Sequence, residues 1–135
     1  MKALIDTNII LDVLCQRERF FENSSMIFKL CEMKKLDGVI SALSIPNLVY
    51  IMRKELDHDT IKIVLQKLSL IFKIEDLKAA DLLKAAAMDF KDYEDALQSI
   101  CAERTNADFI VSRNIKDFQN SSVKAVTPEE FLKMF

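Results

Sequence analysis

Apolar positions along the chain follow two rhythms, and the two alternate. Residues 2–5 (Lys-Ala-Leu-Ile) read as a short buried strand, and Ile9, Ile10, Val13 and Leu14 put a short helix over 7–14. A polar break at 16–19 precedes a helix that Asn23 or Ser24 can cap, with Met26, Ile27, Leu30 and Met33 on one face. Asp37-Gly38 is expected to end that helix and Val39–Ser41 to form a second strand. Ser44 can cap the next helix, Pro46 is tolerated in its first turn, and Ile45, Leu48, Val49 and Met52 form its face. Asp59 is expected to start a helix carrying Ile61, Val64, Leu65 and Leu68, followed by a strand over 70–74. Residues 76–90 predict a helix rich in Ala and Leu. Asp92 caps another, with Ala96, Leu97, Ile100 and Cys101 inward. Strands are predicted at 108–112 and 123–126. Thr127-Pro128-Glu129-Glu130 is a capping box with proline at the first helical position, a strong helix start.

Short apolar strands alternating with helices argue for a parallel sheet covered on both faces, a three-layer α/β/α arrangement. With 135 residues and no repeat or linker, the chain is expected to form one domain over 1–135. In such sheets ligands sit at the carboxyl ends of strands. Asp6 follows the first strand and Asn114 and Asp117 follow the fourth, so all three fall at one edge. Asp92 and Asp95, three apart on one helix face, join them if their helix starts there. Glu94 lies between them and is expected to point elsewhere.

Composition narrows the chemistry. Gly38 is the only glycine, so neither the dinucleotide fingerprint nor a P-loop can be written. His58 is the only histidine, which removes His-based triads and multi-His metal sites. A metal here would be held by oxygen, favouring Mg²⁺ or Mn²⁺. Lys plus Arg total 19 against 21 Asp plus Glu, a net of −2, so a nucleic-acid partner would need a local basic patch. Arg17, Arg19, Arg53, Lys54 and Arg113 stand near the predicted edge, where the ordinary alternative is solvated surface. Cys15, Cys31 and Cys101 lack metal-site spacing and read as core thiols in a reducing compartment. No apolar run approaches the roughly 18 residues of a membrane span. Asp6 comes too early for a secretory signal. The expectation is a cytoplasmic protein without membrane contact.

Each acid also has a plain structural reading. Asp6 can cap the helix that follows, with Thr7 and Asn8 as ordinary helix-start residues, although Asn8 could also orient Asp6. Acids at 92–95 complement a helix dipole. Ser112, Asn114 and Asp117 suit a loop. Taken together they predict a cluster of carboxylates in which one takes up a proton or a cation binds. Mg²⁺ accepts one or two carboxylates with waters and phosphate oxygens, and it activates water, so metal-assisted phosphodiester hydrolysis is the natural chemistry.

The segments Ile5-Asp6-Thr7-Asn8 with Ile10–Leu14, Ser41–Ser44 with Arg53-Lys54, Asp92–Gln98 and Val111–Phe118 together resemble the PIN-domain family, the metal-dependent ribonucleases that include VapC-type toxins. The resemblance spans essentially the whole chain and rests on order and spacing. It implies an α/β/α sandwich whose acids bind Mg²⁺ or Mn²⁺. Asp6 matches the first family acid, Asp95 the third with Asp92 as helper, and Asn114 and Asp117 the acidic loop after the fourth strand. Ser112 stands where a hydroxyl is frequent. Asp6, Asp95 and Asp117 are thus the expected catalytic metal ligands, with Asn47, Asp92, Ser112 and Asn114 assisting. The departure is Asn47, which occupies the place of the second acid and should weaken metal binding. The resemblance also implies RNA as substrate, with a small antitoxin protein and a second copy of the chain as candidate partners. Two other classes stay open: a PIN-fold binding module without turnover, for which Asn47 argues, and a haloacid-dehalogenase-type phosphatase, whose D-x-D would place Asn8 at the second acid.

Overall fold

The computed structural model covers Met1–Phe135 and contains five strands: β1 (Lys2–Ile5), β2 (Asp37–Ser41), β3 (Lys73–Glu75), β4 (Phe109–Val111) and β5 (Ala125–Val126). All neighbours pair in parallel in the order β3-β2-β1-β4-β5. Around them run α1 (Thr7–Leu14), α2 (Phe21–Glu32), α3 (Ser44–Met52), α4 (His58–Ile71), α5 (Ala79–Ala86), α6 (Tyr93–Arg104), a 3₁₀ turn at Ile115–Phe118, and α7 (Pro128–Leu132). β1 is central, and the chain goes to β2 on one side of it and later to β4 on the other. That reversal opens a crevice at the carboxyl ends of β1 and β4.

Alternation along the strands sorts the core. Ala3, Ile5, Ile40 and Val111 face α1–α4 and α7 in one cluster. Leu4, Val39 and Ile110 face Cys101 and Ala102 of α6 in another. Both faces being covered makes the three-layer α/β/α sandwich expected from the alternating pattern. α6 lies deepest of the helices: Ala96 to Ala102 are all buried, and α5 closes over Ala96, Leu97 and Ile100 through Ala85. No helix is long and apolar enough to cross a membrane.

Several boundaries differ from the sequence expectation. α4 runs through Ile71, so the strand expected at 70–74 begins only at Lys73, and Leu70 is an exposed helical residue. A short apolar run has no period of its own, and the 3.6-residue rhythm of α4 extends through it. The helix expected over 76–90 shortens to α5 at 79–86, and the last strand to 125–126. Asp57, not Asp59, caps α4, accepting from the Thr60 N–H at 2.7 Å. α2 starts at Phe21, so Asn23 and Ser24 lie inside it, and Met26 and Met33 are exposed. Asp37-Gly38 does not end α2. Lys34, at φ 60°, takes the left-handed position after that helix, as Gln16 and Asn106 do after α1 and α6. Gly38 belongs to β2, where an added Cβ would stand 2.6 Å from Cys31 Sγ and 2.7 Å from Phe72 Cδ1. The lone glycine thus serves close packing of α2 and the end of α4 against the sheet.

Candidate active site

Asp6 leaves β1 with extended backbone, and its N–H continues the ladder to Val111 O at 3.0 Å. Its carboxylate then turns back over the strand ends. Oδ1 accepts from the Thr7 N–H at 2.8 Å, capping α1, and Oδ2 accepts from Ser112 Oγ at 2.8 Å. The capping reading and the site reading therefore hold for the same residue. Ser112 is fully buried behind Asp6, and its Oγ also accepts from the Asn114 N–H at 3.1 Å. Expected to assist a cofactor directly, Ser112 instead lies outside the cavity lining and orients Asp6 and the turn carrying Asn114 and Asp117.

α6 brings the second group. Asp92 caps it, accepting from the N–H groups of Glu94 at 2.8 Å and Asp95 at 3.2 Å. This fixes the first turn at the same edge as Asp6. Asp6, Asn47, Asp92, Glu94, Asp95, Asn114 and Asp117 then line one cavity of about 260 Å³. Six of the seven site residues expected from sequence meet there; Ser112 is the one behind the wall. Glu94 does not point elsewhere: its Oε2 accepts from Asn47 Nδ2 at 3.3 Å.

Electrostatics mark the cavity as short of positive charge. Burial drives the Asp95 carboxyl from 3.8 up to about 7, and the charges of Asp92, Asp6, Asp117 and Glu94 push the same way. Burial also raises Asp6, against the Ser112 and Thr7 hydrogen bonds and Arg113, with Asp117 adding to the rise. As the side chains stand, no three His, Cys, Asp or Glu groups are close enough together to hold one ion. The acids share a cavity without converging on a point, as mutually repelling groups do.

The arginines expected to serve this edge are engaged elsewhere. Asp12 is fully buried in α1, with Arg113 Nε at 3.1 Å, Arg17 Nη1 at 3.5 Å and Ser24 Oγ donating at 3.0 Å. Arg113 Nε is poorly aligned for a hydrogen bond, so its attraction to Asp12 is chiefly one of charge. Arg113 also lies 3.8 Å over the Phe20 ring, and Arg19 5.4 Å from it. Arg53 and Lys54 flank Tyr50 at 5.2 and 5.3 Å. Asn8 does not orient Asp6: its Oδ1 accepts from Arg17 Nη1 at 3.4 Å.

Sequence reasoning missed a polar cluster below the acids. Thr7 Oγ1 donates to Ser44 Oγ at 2.8 Å, and Gln98 Nε2 donates to Ser44 Oγ at 3.2 Å and Thr7 Oγ1 at 3.4 Å. Ser44, expected as a helix cap, instead ties α3 to α1 and α6 and caps nothing. Gln98 is 4% exposed, lines the cavity, and has an Oε1 without any hydrogen-bond partner. A buried acceptor left open costs free energy unless a ligand or water donates to it. A glutamine among the apolar residues of α6 was the available signal.

A family profile described as PIN domain matches residues 2–116. Ribonuclease VapC1 of Aquifex aeolicus (strain VF5) is 30% identical over 136 residues, covering 96% of this chain and 92% of that protein. A chain in the crystal structure of FitAcB from Neisseria gonorrhoeae superposes with a TM-score of 0.70 at 18% identity, covering 94% of this chain and 98% of its own. A chain of VapBC2 from Rickettsia felis, bound to a DNA fragment from its promoter, gives 0.65 at 20% identity with the same coverage. At these identities the two structures speak for the fold. These matches leave no place for the phosphatase reading.

Proposed function

We propose, because the chain belongs to the PIN-domain family, that it is a divalent-metal-dependent endoribonuclease acting in the cytoplasm as the toxin of a toxin–antitoxin pair. The observation that carries the reading is the state of Asp95. Acids from the end of β1, the turn after β4 and the start of α6 line one cavity, where burial first and the neighbouring carboxylates second raise Asp95 to about 7, while Arg17 and Arg113 pair with Asp12. A divalent cation is the partner such a cavity lacks. The donors fit Mg²⁺ or Mn²⁺: they are hard oxygens, and the buried, unpartnered Gln98 Oε1 belongs to a residue lining the same cavity.

Asp6, Asp95 and Asp117 would hold the ion, with Asp92, Asn114 and Asn47 assisting. When bound, the cation supplies Lewis acidity, activating water as a nucleophile and screening charge on a phosphodiester. The chain's own residues do the rest. Ser112 and the Thr7 N–H hold Asp6 in one orientation. The Thr7–Ser44–Gln98 cluster locks α1, α3 and α6 together beneath the acids. An adjoining cavity shares Asp92, Asp95 and Asp117 and adds Lys91 and Lys116, neither of which is in an ion pair. Those lysines suit RNA phosphates flanking the reacting one. The antitoxin is proposed from the VapC1 relative and from the VapBC and FitAcB neighbours.

The test is cleavage of a mixed RNA pool with Mg²⁺ or Mn²⁺, with and without EDTA, by wild type and Asp6→Asn. The amide is isosteric with the carboxylate and keeps one acceptor oxygen for the Thr7 N–H, and circular dichroism checks that the variant is folded. Cleavage should stop with EDTA and fall at least about 100-fold in the variant, the scale for a lost metal-site group. Equal cleavage by the two proteins under Mn²⁺ refutes the assignment.

A further inference from the structure

The second acid of the resemblance is missing from α3, where Asn47 stands in the helix's first turn. Its amide is committed: Nδ2 donates to Glu94 Oε2 at 3.3 Å, across the cavity from α3 to α6. Glu94 is the second residue of α6, and its N–H is held by Asp92 Oδ1 at 2.8 Å, so the backbone carrying it is fixed. Both side chains line the cavity with Asp6 and Asp95, and Glu94 forms no ion pair. Complementing the helix dipole would require no partner from an element 47 residues away.

We propose that Glu94 supplies the acid that α3 lacks: its carboxylate, aimed into the cavity by Asn47, is a ligand group for the divalent cation. This rests on the metal-site reading above. In this view the position on α3 has not lost its part. It has passed the charge to α6 and kept the task of holding it. The amide is the right group for that task, because it donates to a carboxylate, whereas an acid at 47 would meet Glu94 as a like charge at the same short distance. The cavity therefore holds no deficit of negative charge relative to a site with an acid on α3. Glu94 is also among the charges that raise Asp95, so its field reaches the other acids.

The experiment is calorimetric titration of Mn²⁺ into the full chain: wild type, Glu94→Gln, Glu94→Asp, Asn47→Ala, the double variant Glu94→Gln/Asn47→Ala, Asp6→Asn, and Glu103→Gln as an acid on α6 paired with Lys84 away from the cavity. Circular dichroism in EDTA checks that each is folded. Glu94→Gln should weaken Mn²⁺ binding about tenfold or more and Asn47→Ala about threefold, near the scale for groups that set or orient a metal site. Glu94→Asp keeps the charge and the first-turn acid but retracts the carboxylate by one methylene, and should lose affinity comparably to Glu94→Gln. The double variant should bind no worse than Glu94→Gln, because Asn47 acts through Glu94. Glu103→Gln should bind as wild type. If Asp6→Asn weakens binding while Glu94→Gln and Glu94→Asp bind as wild type, the metal site stands and the role of Glu94 is overturned. Wild-type affinity in Glu94→Asp alone reduces Glu94 to a distant charge and overturns it as a ligand. Independent, additive losses in the double variant overturn the positioning role of Asn47. A wild-type protein that takes up no Mn²⁺ overturns the metal site and this inference together.

Discussion

Replacing Asp95 by Asn tests the electrostatics of the cavity apart from catalysis. The carboxyl moves from 3.8 to about 7 on folding, chiefly through burial and then through Asp92, Asp6, Asp117 and Glu94. At about 1.4 kcal/mol per pKa unit that interval amounts to about 4 kcal/mol at face value. Asp95 is only half-buried, and solvent screening cuts this to about 1–2 kcal/mol. An acid whose folded pKa lies above its unfolded one stabilises the fold while protonated. The contribution is whole below 3.8 and is lost as pH rises through about 7. In EDTA, ionisation of Asp95 should therefore remove about 1 kcal/mol of wild-type stability between pH 5 and pH 8, which is about 3–5 °C in Tm for a domain of this size. Asp95→Asn carries no titrating group there. Its profile should be flatter by that amount, meet the wild type only below pH 3.8, and lie increasingly above it toward pH 8. Asp6, also raised by burial, supplies the slope that remains. Saturating Mn²⁺ should reverse the wild-type slope, because the cation takes the ionised acids. Melting curves by circular dichroism at four pH values suffice. Parallel wild-type and Asp95→Asn profiles in EDTA would refute the reasoning, since they would mean that Asp95 ionises in the fold as freely as in the unfolded chain.

Three further outcomes follow from the geometry. Mn²⁺ at 100 times its Kd should stabilise the wild type by about 2.7 kcal/mol through mass action, and a Tm indifferent to millimolar Mn²⁺ would leave the acids as helix caps. Asp12→Ala should cost about 3–5 kcal/mol in urea unfolding, because it strands two arginines and Ser24 at a fully buried position; a loss under 1 kcal/mol would mean that the arginines reach solvent without penalty. Gly38→Ala should cost about 1–3 kcal/mol by the same assay, since its Cβ meets Cys31 and Phe72 inside van der Waals contact, and an unchanged midpoint would show that α2 shifts freely.

Where the signal was local, it was readable. Residues 2–5 and 7–14 are a strand and a helix as patterned, Asp92 caps α6, and Thr127 with Glu130 closes a capping box on α7. Asp6, Asp95, Asp117, Asp92, Asn47 and Asn114 reach one cavity because strand ends and helix starts in a parallel sheet share an edge. What was hidden depends on partners far along the chain. Leu70 to Phe72 have no rhythm separating helix from strand until α4 packs. Gly38 resembles a helix stop until Cys31 and Phe72 close on it. Gln98 is tolerated in the interior only because Thr7 and Ser44, 91 and 54 residues away, accept its N–H groups. Spacing within α6 alone separates Glu94 from Asp92 and Asp95; Asn47, on α3, decides its direction.

The strand order has a consequence for when the cavity comes into being. Asp6 is made first, yet its hydroxyl partner is Ser112, and the Ser112 N–H bonds Val126 O at 3.0 Å. A growing chain that has reached residue 90 already holds Asp6, Asn47 and the first three strands, but not α6, β4 or the turn bearing Asp117. No shorter piece of it contains a working subset of the acids. The acids therefore come together only once α6 and the turn after β4 have been made, although the first of them stands at residue 6.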